Sequence, residues 1–289
     1  MNHKNSKQKS RIIVLGANGF IGNAILNRLA ETNSVRVPVF REDVDLLHPD
    51  ASQKLSKILK ISDILVVAAA IAPVKNLSML IQNLQMTESI VSAAKVQNLR
   101  YILNISSDAV YEDHEGYLSE QSKRSPNSLH GLMHLTRELC FDTLSIPSGT
   151  LCPTLVYGPR DPHNGYGPNQ FSRLVKSSQD VELFGEGEEL RDHVFIEDVA
   201  EISVKMIEKN IRGRINVASG EVNSFKSIAT MCLKKANSNV KIKYKERSGP
   251  MPHNGYRAFD ISKLQSIFPS FKPTLLKNGI QFLFNGNEI

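Results

Sequence analysis

Long hydrophobic runs are missing from this chain, and their absence narrows its class at once. A membrane-crossing helix needs about 18 or more consecutive apolar residues. The longest run, ILVVAAAIAPV at 64–74, is short, rich in small residues and stopped by Pro73, so it reads as a buried strand. Cysteine is scarce: Cys140, Cys152 and Cys232 are odd in number and widely spaced. They suit neither a disulfide framework nor a zinc site, and a reducing cytoplasm is the expected setting. The segment MNHKNSKQKS carries Lys4, Lys7 and Lys9 and no acid, about half of the formal net charge of +6. It lacks the apolar stretch of a signal peptide and reads as a frayed basic tail over residues 1–10. No basic stripe with interleaved aromatics is present, so neither nucleic acid nor a membrane is an expected partner. Internal repeats and low-complexity blocks are missing as well.

What is there is an alternation. The chain of 289 residues, 41% hydrophobic and 22% charged, has the balance of a soluble globular protein with one extended domain or a domain plus a lobe. RIIVLGANGFIGNAILNRLA runs as apolar strand, glycine-rich turn and amphipathic helix. VRVPVF (35–40) reads as a second strand, ASQKLSKILKI as a helix, DILVVAAA as a third strand, and LSMLIQNLQMTESIVSAAKVQ as a long helix. YILNISS (101–107), a helix over HGLMHLTRELCFDTL, and one strand over GTLCPTLVYG (149–158) follow. This order predicts an α/β fold: a Rossmann-type, doubly wound parallel sheet covered on both faces, with a smaller C-terminal substrate lobe. The Gly-, Pro- and Asn-rich stretch 159–170 reads as a functional loop. Asp198 is a candidate helix cap, RINVAS a returning strand, and the chain beyond about residue 224 is expected to be irregular. The expected bounds are 11–158 for the core with a returning segment at about 193–220, and 159–192 with 221–289 for the lobe.

GANGFIG places Gly16, Gly19 and Gly22 directly after a strand and before a helix. The first glycine permits the turn, the second lets the backbone approach a pyrophosphate, and the third lets helix pack on strand. The helix N-terminus then offers N–H groups to the phosphates. Asn18, Phe20 and Ile21 belong to the same turn. After the second strand comes REDVDL: Arg41 can pair with a 2′-phosphate, while Asp43 can accept from a free 2′-hydroxyl. NADP is the expected cofactor, with NAD the alternative. A solvated loop arginine remains the bland reading.

Six motifs in order resemble the extended short-chain dehydrogenase/reductase family, over essentially residues 11–283: GANGFIG, DILVVAAA, SSDAVYE, PTLVYGPRDP, LFGEGEELRDHVFIEDVA and FDISKLQSIFPSFKPT. The resemblance implies enzymes that epimerise, dehydrate or reduce sugar nucleotides. It places Ala68, Ala69, Ala70 and Ser106 beside the cofactor, Pro153 on its nicotinamide side, and Asp45 with Leu46 at the adenine. It also implies a Ser, a Tyr and a Lys for catalysis. Ser107 matches the serine. The Tyr-x-x-x-Lys expected about 23 residues further on is SLHGLMH here, with His130 and His134 in the two functional positions.

Three readings of these histidines compete. His130 is itself the acid/base, with a ring that titrates at about 6.5 and His134 beside it one turn on. Alternatively, the site binds its ligands without turnover. In the third reading both are ordinary helix residues and another group works, Tyr111 and Tyr117 being the nearest phenols. The pair lacks the intervening Glu of a zinc HExxH helix and a third ligand, so no metal is expected.

Asp108 matches the acid of the family's dehydratases, but Ala109 replaces the neighbouring Glu, so elimination lacks a proton carrier. The arrangement is more similar to the dTDP-dehydrorhamnose reductase branch, and ketone reduction or epimerisation is expected ahead of dehydration. Arg191 and Arg247 match places where relatives set arginines on the substrate pyrophosphate; Asn169 and Arg257 are further candidates, each with a plain surface reading beside it. The expected substrate is a nucleotide sugar lying between the sheet's C-terminal edge and the lobe, in the supply of surface-polysaccharide sugars. A homodimer through the helices near 77–97 and 130–144 is the family-level expectation.

Overall fold

Alternating apolar side chains make both faces of the central sheet. In the computed structural model, which describes residues 9–285, strand β1 (Arg11–Leu15) leads into helix α1 (Phe20–Leu29), followed by β2 (Val35–Val39), α2 (Ala51–Ile58), β3 (Ile64–Val67), α3 (Leu77–Lys95) and β4 (Tyr101–Ile105). The expected frayed tail lies outside the described residues up to residue 8. A short β5 (Tyr117–Leu118) precedes α4 (Leu129–Asp142) and β6 (Ser148–Pro153). Then come β7 (Leu155–Tyr157), α5 (Pro168–Lys176), β8 (Val181–Phe184), β9 (Leu190–Phe195), α6 (Ile196–Lys209) and β10 (Gly213–Val217). The chain closes with β11 (Val222–Ser224), α7 (Phe225–Ala236), β12 (Ile242–Lys245), β13 (Tyr256–Phe259), α8 (Ser262–Ile267) and α9 (Leu276–Phe284).

Two compact units result. The first runs to Ser106 and adds Ser128–Leu151 and Ala200–Gly213; the second takes Ser107–Asn127, Cys152–Val199 and the chain from Arg214. In the first unit, strands pair in parallel in the order β6-β4-β3-β1-β2. Because side chains alternate along a strand, Ile13, Leu15, Leu65 and Val67 share one face. There they pack with Leu55 of α2, Ile90 and Ala94 of α3 and Phe141 of α4. Ile12, Val14, Ile64 and Val66, equally buried, face the other way, and α1 packs on β1 and β2. Arg28 of α1 pairs with Glu201 of α6 at 3.6 Å. The order reverses direction between β1 and β3, the point where open α/β sheets receive ligands beyond their strand ends. Asn76 and Ser128 cap α3 and α4 by accepting the N–H groups of Met79 and Gly131. Among the described residues no helix is long and apolar enough to cross a membrane.

The second unit is built on β11-β9-β13-β5, with β7 also parallel to β9, and a separate β12-β8 pair. Its bounds differ from the expected ones. Residues 107–127 and 152–158 belong to it because β5 pairs with β13 and β7 with β9. Three other expectations are corrected. The single strand over 149–158 is two, since Pro153, with no N–H to give a ladder, ends β6. Asp198 stands inside the first turn of α6, and its carboxylate accepts the backbone N–H and hydroxyl of Thr274. The chain beyond 224 is ordered into α7, β12, β13, α8 and α9.

Candidate functional site

Within the first unit, Gly16 adopts φ +81°, and a Cβ there would stand 2.7 Å from the Ala69 nitrogen. A Cβ on Gly22 would stand 2.1 Å from the Gly16 carbonyl oxygen. Only glycine therefore lets β1, α1 and the end of β3 meet this closely. The Gly19 N–H closes the turn on the Gly16 carbonyl at 2.9 Å. No side chain caps α1, and Asn18 and Gly19 are exposed, with Phe20 and Ile21 opening the helix. This bare helix start at the sheet's reversal point fits a dinucleotide pyrophosphate. Ala68, Ala69 and Ala70, half-buried, border it. Past β2, Arg41 pairs with Asp45 at 3.2 Å. The Leu47 N–H, ahead of Arg41, holds the Asp45 carboxyl below its usual range. Leu46 is buried beside them, and Asp43 accepts the Phe40 N–H.

The first turns of α4 carry the two histidines. Nδ1 of His130 accepts the Val74 N–H at 3.4 Å. A ring nitrogen that accepts is unprotonated, so the neutral His130 ring holds its proton on Nε2. His134, 6% exposed, stands edge-on to it, the ring centroids 4.7 Å apart and the planes at 89°. Burial first, then the charges of Arg137 and His130, take the His134 pKa well below the usual histidine value. His134 is thus a neutral ring and not a substitute ammonium. Ser106 is buried, with its hydroxyl on the Glu138 carboxylate and its N–H on the Leu151 carbonyl.

The remaining candidates belong to the second unit. Ser107 caps a single 3-10 turn: its Oγ accepts the Ala109 N–H at 3.2 Å and lies 3.3 Å from Asp108 Oδ1. Asp108 is an ion-pair partner, accepting from Arg257 Nε at 2.8 Å. Arg257 also reaches Asp113 at 3.0 Å and the Asp108 carbonyl at 2.6 Å. Burial works to raise the Asp113 carboxyl, but its hydrogen bond to His253 and the charges of His253 and Arg257 bring it below its usual range. Arg191 pairs with Glu189 and donates to the Pro252 carbonyl, and Arg247 pairs with the same Glu189 at 3.2 Å. Three guanidinium groups thus face three carboxylates, Asp108, Asp113 and Glu189, each arginine already carrying an acidic partner. Asn169 is buried and accepts the Gly158 N–H at 3.1 Å, fastening the ends of the 159–167 loop. Pro153 is buried at the end of β6. Tyr111 donates to Asn216 at 2.7 Å, and burial raises its pKa, whereas Tyr117 is exposed.

Sequence reasoning missed Arg137, Asp113, Glu189 and the Val74 N–H. For Arg137 a signal existed. It lies three residues past His134 and seven past His130, on the same helix face, and a cation on an inward face needs partners.

Residues 12–218 match the model of the NAD dependent epimerase/dehydratase family. An uncharacterised UDP-glucose epimerase of Bacillus subtilis is 26% identical over 208 residues, 68% of this chain and 64% of that relative, so the match spans less than two thirds of the relative's length. The UDP-glucose 4-epimerase of Thermus thermophilus, solved with NAD, superposes with a TM-score of 0.83 at 20% identity, covering 96% of this chain and 100% of its own. The GDP-mannoheptose C4 reductase of Campylobacter jejuni, solved with NADP, has a TM-score of 0.78 at 17% identity, covering 95% and 97%.

Proposed function

The chain belongs to the NAD dependent epimerase/dehydratase family, and on that premise we propose that it is an NAD(P)-dependent reductase or epimerase of a sugar nucleotide, with His130 in the place of the usual tyrosine. One contact carries the reading. The Val74 N–H on Nδ1 leaves the His130 proton on Nε2, the tautomer that donates to a carbonyl oxygen. The nicotinamide, when bound, supplies hydride. His130, as a neutral ring, would hold the negative charge growing on the substrate oxygen with a hydrogen bond from its Nε2–H, and the proton that completes the alcohol is drawn from solvent, so the ring keeps its own. Oxidation asks for a bare Nε2, which the Val74 contact disfavours. Reduction of a ketone therefore stands ahead of epimerisation, which needs both directions. Ser107 and His134 complete the proposed catalytic set, and Ala109 offers no second carboxyl for dehydration.

NADP is the proposed cofactor, on the strength of Arg41, whose side chain is 74% exposed and free to turn toward a 2′-phosphate; NAD is the alternative because Asp45 already holds it. Arg191, Arg247, Arg257, Asn169 and Asp108 are the proposed substrate contacts. We place the protein in the cytoplasm, in supply of a surface-polysaccharide sugar. Leu77 and Ile81 of α3 with Leu132 and Leu139 of α4, all exposed, are the proposed homodimer face. A rival reading, a ligand-binding protein without turnover, is favoured by the neutral, buried His134.

The test incubates the protein with NADPH or NADH and UDP-, GDP- and dTDP-sugars, 4-keto forms included. Product from the natural chain supports the enzyme. Product only after His130→Tyr with His134→Lys overturns it in favour of the rival.

A further inference from the structure

The inner face of α4 carries a cation that the proposed chemistry does not use. Arg137 is 3% exposed. One terminal nitrogen donates to the Ala69 carbonyl at 3.0 Å, and the other to the Ile105 carbonyl and to His134 Nδ1 at 3.3 Å. Ala69 lies just past β3 and Ile105 ends β4, so the guanidinium ties together the C-terminal ends of two adjacent strands under the helix. Glu138, next in the chain, holds the Ser106 hydroxyl and sets a negative charge nearby.

A guanidinium has donors only. Whatever sits 3.3 Å from it on His134 must be a lone pair, and the His134 proton then belongs to Nε2. We propose that Arg137 is a positioning residue: its hydrogen bond to Nδ1 fixes His134 as the Nε2–H tautomer and sets that ring edge-on to His130. Both rings of the pair are then held in the same way, each with Nδ1 engaged from behind, one by the Val74 N–H and one by Arg137. Two fixed Nε2–H donors follow from two unrelated contacts. Burial and the Arg137 charge both oppose a second proton on His134, in line with the geometry. The strand carbonyls help to keep the guanidinium in place, because each terminal nitrogen is tied to strand backbone, while the buried Nε has no partner among the described residues.

The inference rests on the reading of His130 as the Nε2–H hydrogen-bond donor to substrate, but its test uses no turnover, so either can fail alone. Histidine is labelled with nitrogen-15 in the whole protein at neutral pH, and His134 is assigned by the signal lost in His134→Gln. The expected spectrum has Nε2 protonated and Nδ1 bare. In Arg137→Met, Nδ1 is expected to shift toward the protonated position as the other tautomer becomes populated. A wild-type His134 with its proton on Nδ1, or a folded Arg137→Met with an unchanged pattern, overturns the proposal and leaves Arg137 a strap for the strand ends. Should Arg137→Met not fold, the wild-type protein decides: a through-hydrogen-bond coupling between the Arg137 guanidinium and His134 Nδ1 supports the assignment, and its absence overturns it.

Discussion

Arg257 and Asp108, 149 residues apart in the chain, form an ion pair at 2.8 Å between Nε and Oδ2, and the same guanidinium donates to the Asp108 carbonyl at 2.6 Å. The one aspartate that matched a proton carrier by its position is thereby a fixed structural anion. Replacing Arg257 with Met should leave Asp108 and Asp113 without their cation. Breaking a largely buried pair by removing one partner costs about 3–5 kcal/mol, read as a lower urea midpoint at unchanged slope. A midpoint equal to wild type would mean that the pair is dispensable.

His130→Phe keeps the ring and removes the Nε2–H. Ketone reduction should fall by about 10²–10³-fold, the usual loss when one donor to a developing oxyanion is removed, while the dinucleotide dissociation constant stays within about twofold, since the proposed pyrophosphate site at the glycine turn does not include this ring. Steady-state rates and fluorescence titration separate the two. A rate loss below about fivefold would remove His130 from the chemistry.

The glycine turn tolerates no side chain at its third position. In Gly22→Ala the new methyl meets the Gly16 carbonyl oxygen, which a Cβ would approach to 2.1 Å. Overpacking of this kind costs about 1–3 kcal/mol or more. Since the obstacle is backbone, loss of dinucleotide binding should accompany the loss of stability. Thermal unfolding with and without NADPH reports both: the variant melts lower and the cofactor no longer raises its midpoint.

On the proposed reading, cofactor choice is a competition between a 2′-phosphate and Asp45 for Arg41. Arg41→Ala should weaken NADPH binding by about tenfold, the loss of one exposed charge-assisted contact, and leave NADH unchanged. Asp45→Asn, which releases the arginine from its 3.2 Å partner, should strengthen NADPH. Equal effects of Arg41→Ala on both cofactors would assign the arginine to the loop alone.

Acid stability depends in part on a histidine outside the proposed site. Burial lowers the folded His193 pKa to about 3, against about 6.5 when unfolded. Between those values the unfolded chain binds the extra proton, so stability falls as pH drops below about 6.5, by up to about 1.4 kcal/mol per unit. Asp192, pushed up to about 6 by burial, opposes this: from about 4 to 6 the folded state binds its proton. Comparing His193→Phe with wild type isolates the histidine. The difference in stability should change with that slope between about pH 6 and 4, and a constant difference would show that His193 is not held neutral.

The parts of this protein that could be read in advance are those whose partners lie close along the chain. The strand, turn and helix around Gly16 and Gly22 occupy one continuous stretch, and the requirement for glycine there is met within seven residues. The alternation of Ile12 to Leu15 and of Ile64 to Val67 announced two-faced buried strands, because period and burial are local properties. His130 and His134 share a helix face by spacing alone. The tertiary structure decided the rest. Sequence spacing could not tell which tautomer His130 holds, since the Val74 N–H that sets it comes from 56 residues away. Nor could it show that Arg137 faces carbonyls 68 and 32 residues distant, or that Arg191, Arg247 and Arg257 arrive already paired with acids. A side chain's type is written in the sequence, but its charge state and availability depend on what folding brings against it. In a buried site, hydrogen bonds and desolvation from distant segments outweigh the group's own chemistry.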